Sequence, residues 1–467
     1  MSLTHTIERQ IVDVTMYGLE ADGKSATDEL SILCSGELPT LMNAALSELG
    51  DLADVVIIER LEVEVHTASL DDLIKDVRDA VVQTIRSLVV SMQEQQDLPG
   101  ISLLHPQAAF ARALAHYLRH GRLPWWYKPE SDLSMELLIR RELLDQPTNK
   151  QLFNQIMTTL QSSSSARLRL TQQFSVDLVK SLVARLDPRE NAVLERAFNI
   201  AAPLRNELND SEALDASIVY VAIDNLFGPR SAEHNLEGLA REIVRVALTS
   251  IEANLSATDR IIAVRFLETE LASHDTPPTD EVGGLPVSTH EVVILDDADA
   301  VGIEGLFVAN AGVIIVHPFL PQLFNVIGVS VDNELTNPSR AALLIHHLAT
   351  GEYSADEHQL VLAKILCGVP VEYPLRREPP VTEREAQECT VLLEAVVEHW
   401  SVLRNTTADG LRGNFLSRAG KLELSSDGWL LYVERQSFDI LLDHLPWSIG
   451  HVQLPWMRSL IRVEWPS

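Results

Sequence analysis

Prolines divide the mostly helical part of the sequence, residues 106–274, into short segments. It is interrupted by prolines at positions that include 129, 147, 188, 203 and 229. A proline inside a helix removes a backbone hydrogen bond and clashes with the preceding turn, so each position favours a helix boundary. The longest stretch between prolines, 230–276, would span only about 70 Å even as one continuous helix. The sequence therefore predicts a helical middle region, 101–275, built from short segments.

The sequence before this region alternates between strand and helix patterns. Residues 11–17 and 55–65 are typical of strands, and in the second strand apolar residues alternate with glutamates. Helical spacing follows each strand, at 28–49 and from residue 70 onward. This order predicts a small βαβα module over residues 1–100.

The sequence after the middle region mixes strands with helices. Residues 276–289 are rich in proline and glycine and predict a linker. Residues 290–467 predict a mixed α/β module with a β-hairpin at 422–433, where Asp427-Gly428 favours the turn. Further elements are predicted as short buried strands at 291–295 and 313–316, helices at 338–350, 355–366 and 382–404, and a final strand at 461–465. The predicted fold class is α+β and predominantly helical.

The charge balance limits the partners of this chain. Acidic residues outnumber basic ones, 67 to 37, for a formal net charge of −30. Such a surface repels phosphates and anionic lipids, so we expect no nucleic-acid partner. The most apolar stretch, 306–324, is interrupted by two prolines and predicts a buried core segment rather than membrane insertion. The chain starts without a basic and apolar leader pattern, so we expect a cytoplasmic protein.

One segment matches a nucleotide-binding pattern. Gly18-Leu19-Glu20-Ala21-Asp22-Gly23-Lys24-Ser25 fits G-x-x-x-x-G-K-S and lies between a predicted strand and a predicted helix. Two carboxylates, those of Glu20 and Asp22, would enter a cradle that must be electropositive to hold phosphates. The segment favours a β-to-α loop with an exposed Lys24, and a P-loop NTPase stays open as an alternative.

Other residue types that carry chemistry are scattered. His116 and His120 are four apart and could share a helix face, but no third metal ligand is near them in sequence. Residues 296–302 resemble a calcium loop only in part, because Val301 and Val308 stand where oxygen ligands are needed. The three cysteines fall in apolar helical patterns and are expected in the core. The sequence thus predicts no catalytic residue, no cofactor and no metal site.

Tryptophan beside proline is a repeated feature of this chain. Leu-Pro-Trp occurs three times, and proline fixes the backbone while tryptophan offers a large rigid surface. Such residues form either corners of a core or protein–protein contacts, and both alternatives stay open. The candidate interaction residues are Pro124, Trp125, Trp126, Pro446, Trp447, Pro455 and Trp456.

Several of these segments together resemble the tape-measure proteins of bacterial extracellular contractile injection systems, which are phage-tail-like particles. The resemblance lies mainly in residues 117–126, 308–321, 357–368 and 438–450, the last containing Asp443-His444-Leu445-Pro446-Trp447. It covers residues 1–130 and 300–467 and is thin between them. The segment 18–25 is not part of the family pattern, which further weakens the nucleotide-binding alternative.

The resemblance implies a non-enzymatic assembly role, which is to set the length of the tail tube through contacts with tube and baseplate or spike proteins. It carries over no catalytic residue, and it implies a protein that is cytoplasmic during assembly and can be incorporated into the released particle. We hypothesise that folded terminal modules hold the protein in place and that the helical middle tolerates changes in length. The alternatives are the P-loop NTPase and a general protein-interaction scaffold that uses the Leu-Pro-Trp corners.

Overall fold

The computed structural model describes two compact units of the chain. One comprises Met1–Phe110 with Trp125–Tyr127, and the other comprises Ala111–Pro124 with Lys128–Ser467. The described residues are 32, 38–47, 55–66, 70–93, 101–129, 133–146, 150–209, 211–228, 236–271, 305–404, 406–426 and 428–465. The predicted strands at 11–17 and 291–295, the segment 18–25, Cys34 and the linker at 276–289 lie outside them. The predicted boundaries at 1–100, 101–275 and 290–467 stay predictions.

The first unit contains helices and a two-stranded sheet. Its elements are α1 (Leu38–Ser47), β1 (Val55–Ile58), α2 (Leu70–Gln93) and β2 (Ile101–Leu104), followed by the start of α3 (Pro106–His120). Strand β1 pairs antiparallel with β2, with Val55 opposite Leu104.

The strand predicted at 55–65 is wrong in its second half, because β1 ends at Ile58. The alternation after that point reflects burial alone. Leu61 and Val63 pack against the small core of Leu38, Val81 and Ile85, while Glu62 and Glu64 are exposed. A period-two pattern therefore marks one inward-facing side here without a ladder of hydrogen bonds.

The helical part of the second unit consists of the end of α3 and eight further helices among the described residues; we call it the helical body. These helices are α4 (Met135–Ile139), α5 (Lys150–Ser162), α6 (Ser164–Gln173), α7 (Val176–Leu186), α8 (Pro188–Glu207), α9 (Ser211–Phe227), α10 (Leu236–Ile251) and α11 (Ala257–Phe266). Shorter π-helical or 3-10 turns follow α4, α10 and α11, at Arg140–Leu144, Glu252–Asn254 and Leu267–Leu271.

Polar caps set the boundaries of several of these helices. The side chains of Ser163, Ser175, Asp187 and Ser256 accept hydrogen bonds from backbone N–H groups in the first turns of α6, α7, α8 and α11. The boundary expected at Pro203 is wrong, because this proline lies inside α8. The turn beyond it buries Leu204, and that burial offsets the lost backbone hydrogen bond.

Residues 305–465 of the second unit form what we call the C-terminal module. Its helices are α12 (Leu320–Ile327), α13 (Pro338–Thr350), α14 (Val361–Leu366), α15 (Glu383–His399) and α16 (Ala408–Leu411). Its strands are β3 (Leu306–Val308), β4 (Ser330–Val331), β5 (Glu334–Leu335), β6 (Gly420–Ser425), β7 (Gly428–Val433), β8 (His451–Val452) and β9 (Ile461–Glu464). Short 3-10 or π-helical turns lie at Ala311–Phe319, Glu357–Leu360, Ser401–Leu403, Arg412–Leu416 and Asp439–His444.

The sheet of the C-terminal module has the strand order β3-β6-β7-β9-β8. The predicted hairpin is confirmed as the antiparallel pair β6–β7, with Leu424 opposite Trp429. Strand β9 runs parallel to β7 and antiparallel to β8, so it lies between them. Adjacent to the sheet, Arg418 and Asp439 form a buried ion pair, and Trp465 Nε1 donates to Asp439 Oδ2 at 3.0 Å.

The strand predicted at 313–316 is wrong, because these residues lie in the 3-10 segment Ala311–Phe319. A short continuous apolar run does not by itself distinguish a buried strand from a buried helix. All four residues are fully buried, so every side of the segment faces the core and no period remains in the sequence.

The predominantly helical α+β class is confirmed, and two of its helices end in the same way. Helix α3 ends at Gly121 and α13 ends at Gly351, both with positive φ. The N–H groups of these glycines donate to the carbonyls of Tyr117 and His347 at 2.7 and 2.8 Å. The similar sequences before the two glycines therefore mark the same type of helix end.

Gly312→Ala tests how tightly the 3-10 segment packs in the core. A Cβ at position 312 would lie 1.6 Å from the carbonyl oxygen of Phe415, whereas a Cβ at Gly413 would meet nothing within 4 Å. We expect Gly312→Ala to cost at least about 2 kcal/mol and Gly413→Ala to cost less than about 1 kcal/mol. Urea unfolding followed by tryptophan fluorescence measures both, and equal midpoints would contradict the packing described.

Candidate functional site: a buried ionic seam

A fully buried ionic cluster lies where the helical body meets the C-terminal module. It consists of Arg169 from α6, Glu357 from a 3-10 turn and Lys364 from α14, whose side chains are 0% exposed. Arg169 Nε donates to Glu357 Oε2 at 2.9 Å, and Lys364 Nζ donates to Glu357 Oε1. One carboxylate therefore serves two cations, and other acceptors must meet the excess positive charge.

Backbone carbonyls supply these further acceptors. Arg169 donates through Nη1 and Nη2 to two carbonyl oxygens at 2.5 and 2.6 Å, those of Leu118 and Glu372. Lys364 Nζ donates to the carbonyls of Val371 and Tyr373 at 2.8 and 2.9 Å. Each side-chain nitrogen of the two cations thus has an acceptor of the kind that a buried charge requires.

The end of α3 brings its backbone against this cluster. Gly121 has a φ of +70°, and a Cβ there would lie 2.7 Å from Glu357 Oε1 and 2.8 Å from Arg169 Nη2. A side chain at this position would therefore strain the backbone and collide with the ion pair. Glycine at position 121 therefore both ends α3 and leaves room for the side chains of Glu357 and Arg169.

Burial changes the acidity of groups in and beside the cluster. It lowers the pKa of Lys364 to about 8, with Glu357 opposing that shift and Arg169 adding to it. Burial, with the nearby Glu357 and Asp356 carboxylates, raises the pKa of Tyr117 well above its usual value. Because Lys364 is 0% exposed and bonded to Glu357, its role in this arrangement is that of a structural cation.

The cluster belongs to a larger set of polar contacts between the helical body and the C-terminal module, which we call the ionic seam. Three of its contacts involve charged side chains besides Arg169–Glu357: His120 Nδ1 with Glu372 Oε1 at 2.8 Å, Arg377 Nη1 with Glu136 Oε2 at 3.0 Å, and Met135 N with Asp356 Oδ2 at 2.8 Å. Two more use backbone atoms of the irregular segment near residue 375: Gln173 Nε2 donates to the Leu375 carbonyl at 2.5 Å, and Arg377 N donates to the Gln172 carbonyl at 3.1 Å.

Histidines surround the seam. The His116 and His120 rings lie 4.6 Å apart, and the His358 ring meets Tyr117 edge-on at 6.1 Å. Burial, together with His120 and nearby arginines, lowers the pKa of His116 to about 3, and burial lowers the pKa of His358 as well. His116 Nε2 and His358 Nδ1 have no hydrogen-bond partner among the described residues.

The two C-terminal Leu-Pro-Trp segments form corners on the core of the C-terminal module. Trp447 Nε1 donates to the Ile315 carbonyl at 2.9 Å, and its ring meets Phe319 edge-on at 5.2 Å. Trp456 Nε1 donates to the Leu366 carbonyl at 2.8 Å, and its ring lies 5.5 Å from Phe324. Pro446 and Pro455 are exposed beside these half-buried indoles.

The first Leu-Pro-Trp segment is placed differently. Pro124 is buried in the second unit, whereas Trp125 and Trp126 belong to the first unit and are half-buried. The Trp126 ring meets Tyr127 edge-on at 6.1 Å. The role of these seven residues in binding a partner stays a prediction.

Sequence reasoning missed Arg169, Glu357 and Lys364 as a group, although each left a signal. Arg169 occupies a position of α6 that shares a helix face with the buried residues Ala166, Leu170 and Gln173. Lys364 interrupts an apolar run from Leu360 to Cys367. A charged residue at an apolar position predicts a buried partner, but the partner lies 188 residues away from Arg169 and cannot be identified by spacing.

Cys367 and Cys389 are buried, as expected, and burial raises the pKa of the Cys389 thiol to about 12. Within the described ranges, no group of three or more His, Cys, Asp or Glu side chains could hold a metal ion. No described helix is long and apolar enough to cross a membrane.

Comparison with known proteins identifies the family to which the chain belongs. Residues 4–465 match the family described as contractile injection system tape measure protein. This match covers nearly the whole chain, so the chain belongs to that family, and the resemblance found in its sequence is confirmed. No curated protein and no solved structure matches the chain.

Glu357→Gln tests the shared carboxylate of the cluster. The change leaves two buried cations without a counter-ion, and we expect a loss of about 3–5 kcal/mol in the free energy of unfolding. The matched control is Glu464→Gln, since Glu464 pairs with Arg462 at 3.7 Å with both side chains about half exposed, and we expect a change of less than about 1 kcal/mol. Urea unfolding compares the two, and equal losses would show that the cluster is not a main source of stability.

Acid should weaken the fold through His116. Its folded pKa of about 3 lies below the ordinary value of 6.5, so between these pH values the unfolded chain binds a proton that the folded chain does not. The stability linked to this group is therefore present above pH 6.5 and is lost as the pH falls. We expect His116→Gln to reduce the fall in Tm between pH 7 and pH 4, measured by calorimetry, and the exposed-site control His451→Gln to leave it unchanged. An identical pH dependence in His116→Gln and the parent protein would contradict this assignment.

Proposed function

We propose that this chain is a non-enzymatic assembly factor of a contractile injection particle and takes part in setting the length of its tail tube. The family match over residues 4–465 is the observation that carries the proposal. Its partners in this proposal are tail-tube proteins and baseplate or spike proteins, and it acts in the cytoplasm until it is incorporated into the particle.

The net charge supports contact with basic protein surfaces. A chain with a formal charge of −30 is attracted to a positively charged protein wall, and such complementarity speeds association and fixes orientation. This argument concerns protein partners only, because phosphates and anionic headgroups are repelled by the same charge.

The dimensions of the helices limit how the chain could measure a tail. Helix α2, the longest among the described residues, has 24 residues and is about 36 Å long. Helices α8, α9 and α10 pack side by side, so their lengths do not add along one axis. A length function would therefore depend on whole folded bodies, or on their separation, rather than on one stretched helix.

The test changes the length of the helical body in both directions. One variant lacks residues 252–271, which hold α11 and its flanking turns, and a second variant carries them twice. Because these 20 residues pack against α8 and α10, we expect tails shorter and longer by less than the about 30 Å that they would span as one extended helix. Mean tail length is measured on negatively stained particles.

Two controls belong to this test. Particles made without the chain give the baseline, and we expect tails of irregular length or none. Circular dichroism and thermal melting of the purified variants check that both still fold. Tails of parental length in both folded variants would contradict length determination and would leave a cap, adaptor or assembly-chaperone role.

A further inference from the structure

The ionic seam joins two bodies that each have a core of their own. The main apolar core of the C-terminal module consists only of residues between Leu306 and Val463. On the other side, α7, α8 and α10 bury apolar residues against neighbouring helices of the helical body, among them Leu182, Leu194 and Val244. Interfaces between such bodies in one chain permit relative motion unless they are large and hydrophobic, and no described apolar residue of the helical body is part of the C-terminal core or packed against it.

The pairing in the cluster lets one cation leave while the other keeps its partner. With the seam closed, Glu357 shares its carboxylate between Arg169 and Lys364, and the half-buried Glu372 carboxylate interacts electrostatically with both cations. When Arg169 withdraws with α6, Glu357 and Lys364 remain as a balanced pair inside the C-terminal module. The guanidinium group of Arg169 then becomes hydrated, and the free energy of this hydration offsets that of the hydrogen bonds it loses.

The groups beside the cluster also keep partners on their own side. Tyr117, on the helical body, packs edge-on against Phe174 of the same body at 6.3 Å. Lys364 keeps its bonds to the carbonyls of Val371 and Tyr373 in the C-terminal module. Asp356, which accepts from Met135 N across the seam, also caps the turn Glu357–Leu360 within its own module.

We propose that the helical body and the C-terminal module separate at the ionic seam as intact folded bodies when the chain enters an assembling tail. The inference rests on the proposed role in tail assembly and specifies its conformational step. Separation increases the distance between the two bodies without unfolding either core.

A reversible disulfide across the seam tests this step. Arg377 N donates to the Gln172 carbonyl at 3.1 Å, which brings the two backbones close enough for a disulfide between cysteines at these positions. The variant is Gln172→Cys with Arg377→Cys, in a chain carrying Cys34→Ser, since the remaining cysteines are buried. The matched controls are the two single-cysteine variants.

We expect the oxidised double variant to yield no tails of parental length, and reductant added before assembly to restore them. The single variants should behave alike with and without reductant. Parental tails from the oxidised protein would overturn the proposal, whereas the proposed function itself fails only if removing the chain leaves tail length unchanged.

Hydrogen exchange on the purified full chain gives a readout that does not depend on tail assembly. The amides of Met135 and Arg377 are hydrogen-bonded across the seam, and we expect their protection to be at least about tenfold lower than that of Leu182 and Leu344 in the two cores. Arg169→Gln should widen this gap and raise the radius of gyration in solution scattering, with an unchanged circular dichroism spectrum. Exchange of the seam amides only together with the core amides would overturn the proposal.

Discussion

The contact between the helical body and the C-terminal module centres on a single carboxylate, that of Glu357, which faces a guanidinium group on one side and an ammonium group on the other. Both cations are fully buried, so the carboxylate and the surrounding carbonyls replace the hydration that they would have in water. This requirement explains several local features at once. Gly121 is needed because a side chain there would displace the ions, and the irregular segment near residue 372 takes its path because its carbonyls are the remaining acceptors.

Much of the fold is predictable from the sequence, because local rules decide it. The Asp427-Gly428 pair favours a hairpin between 422 and 433, and helical spacing predicts a helix at 338–350; the β6–β7 hairpin and α13 lie where these local signals place them. The misplaced elements are those that burial decides. Residues 313–316 show no period because all sides are buried, and Pro203 is tolerated because the core holds the turn that follows it.

The site is less predictable than the fold for a different reason. The repeated Leu-Pro-Trp tripeptide makes the tryptophans recognisable in the sequence. The indole N–H groups of Trp447 and Trp456 both donate to backbone carbonyls within the C-terminal module. The buried ionic cluster, in contrast, joins residues from distant parts of the chain: the end of α3, α6 and the segment from Glu357 to Tyr373. A single sequence shows that Arg169 and Lys364 are unusual at apolar positions, but only the tertiary structure shows that they share an acceptor.

The position of β9 has a consequence for the order in which the sheet forms. This strand lies between β7 and β8, and Trp465 just beyond it bonds to the buried Asp439. Strand β8 precedes β9 in the chain, yet β9 is its hydrogen-bonded neighbour in the sheet. The edge strand β8 can therefore join the sheet only after the later strand β9 has paired with β7, so this edge closes in the reverse of the chain order.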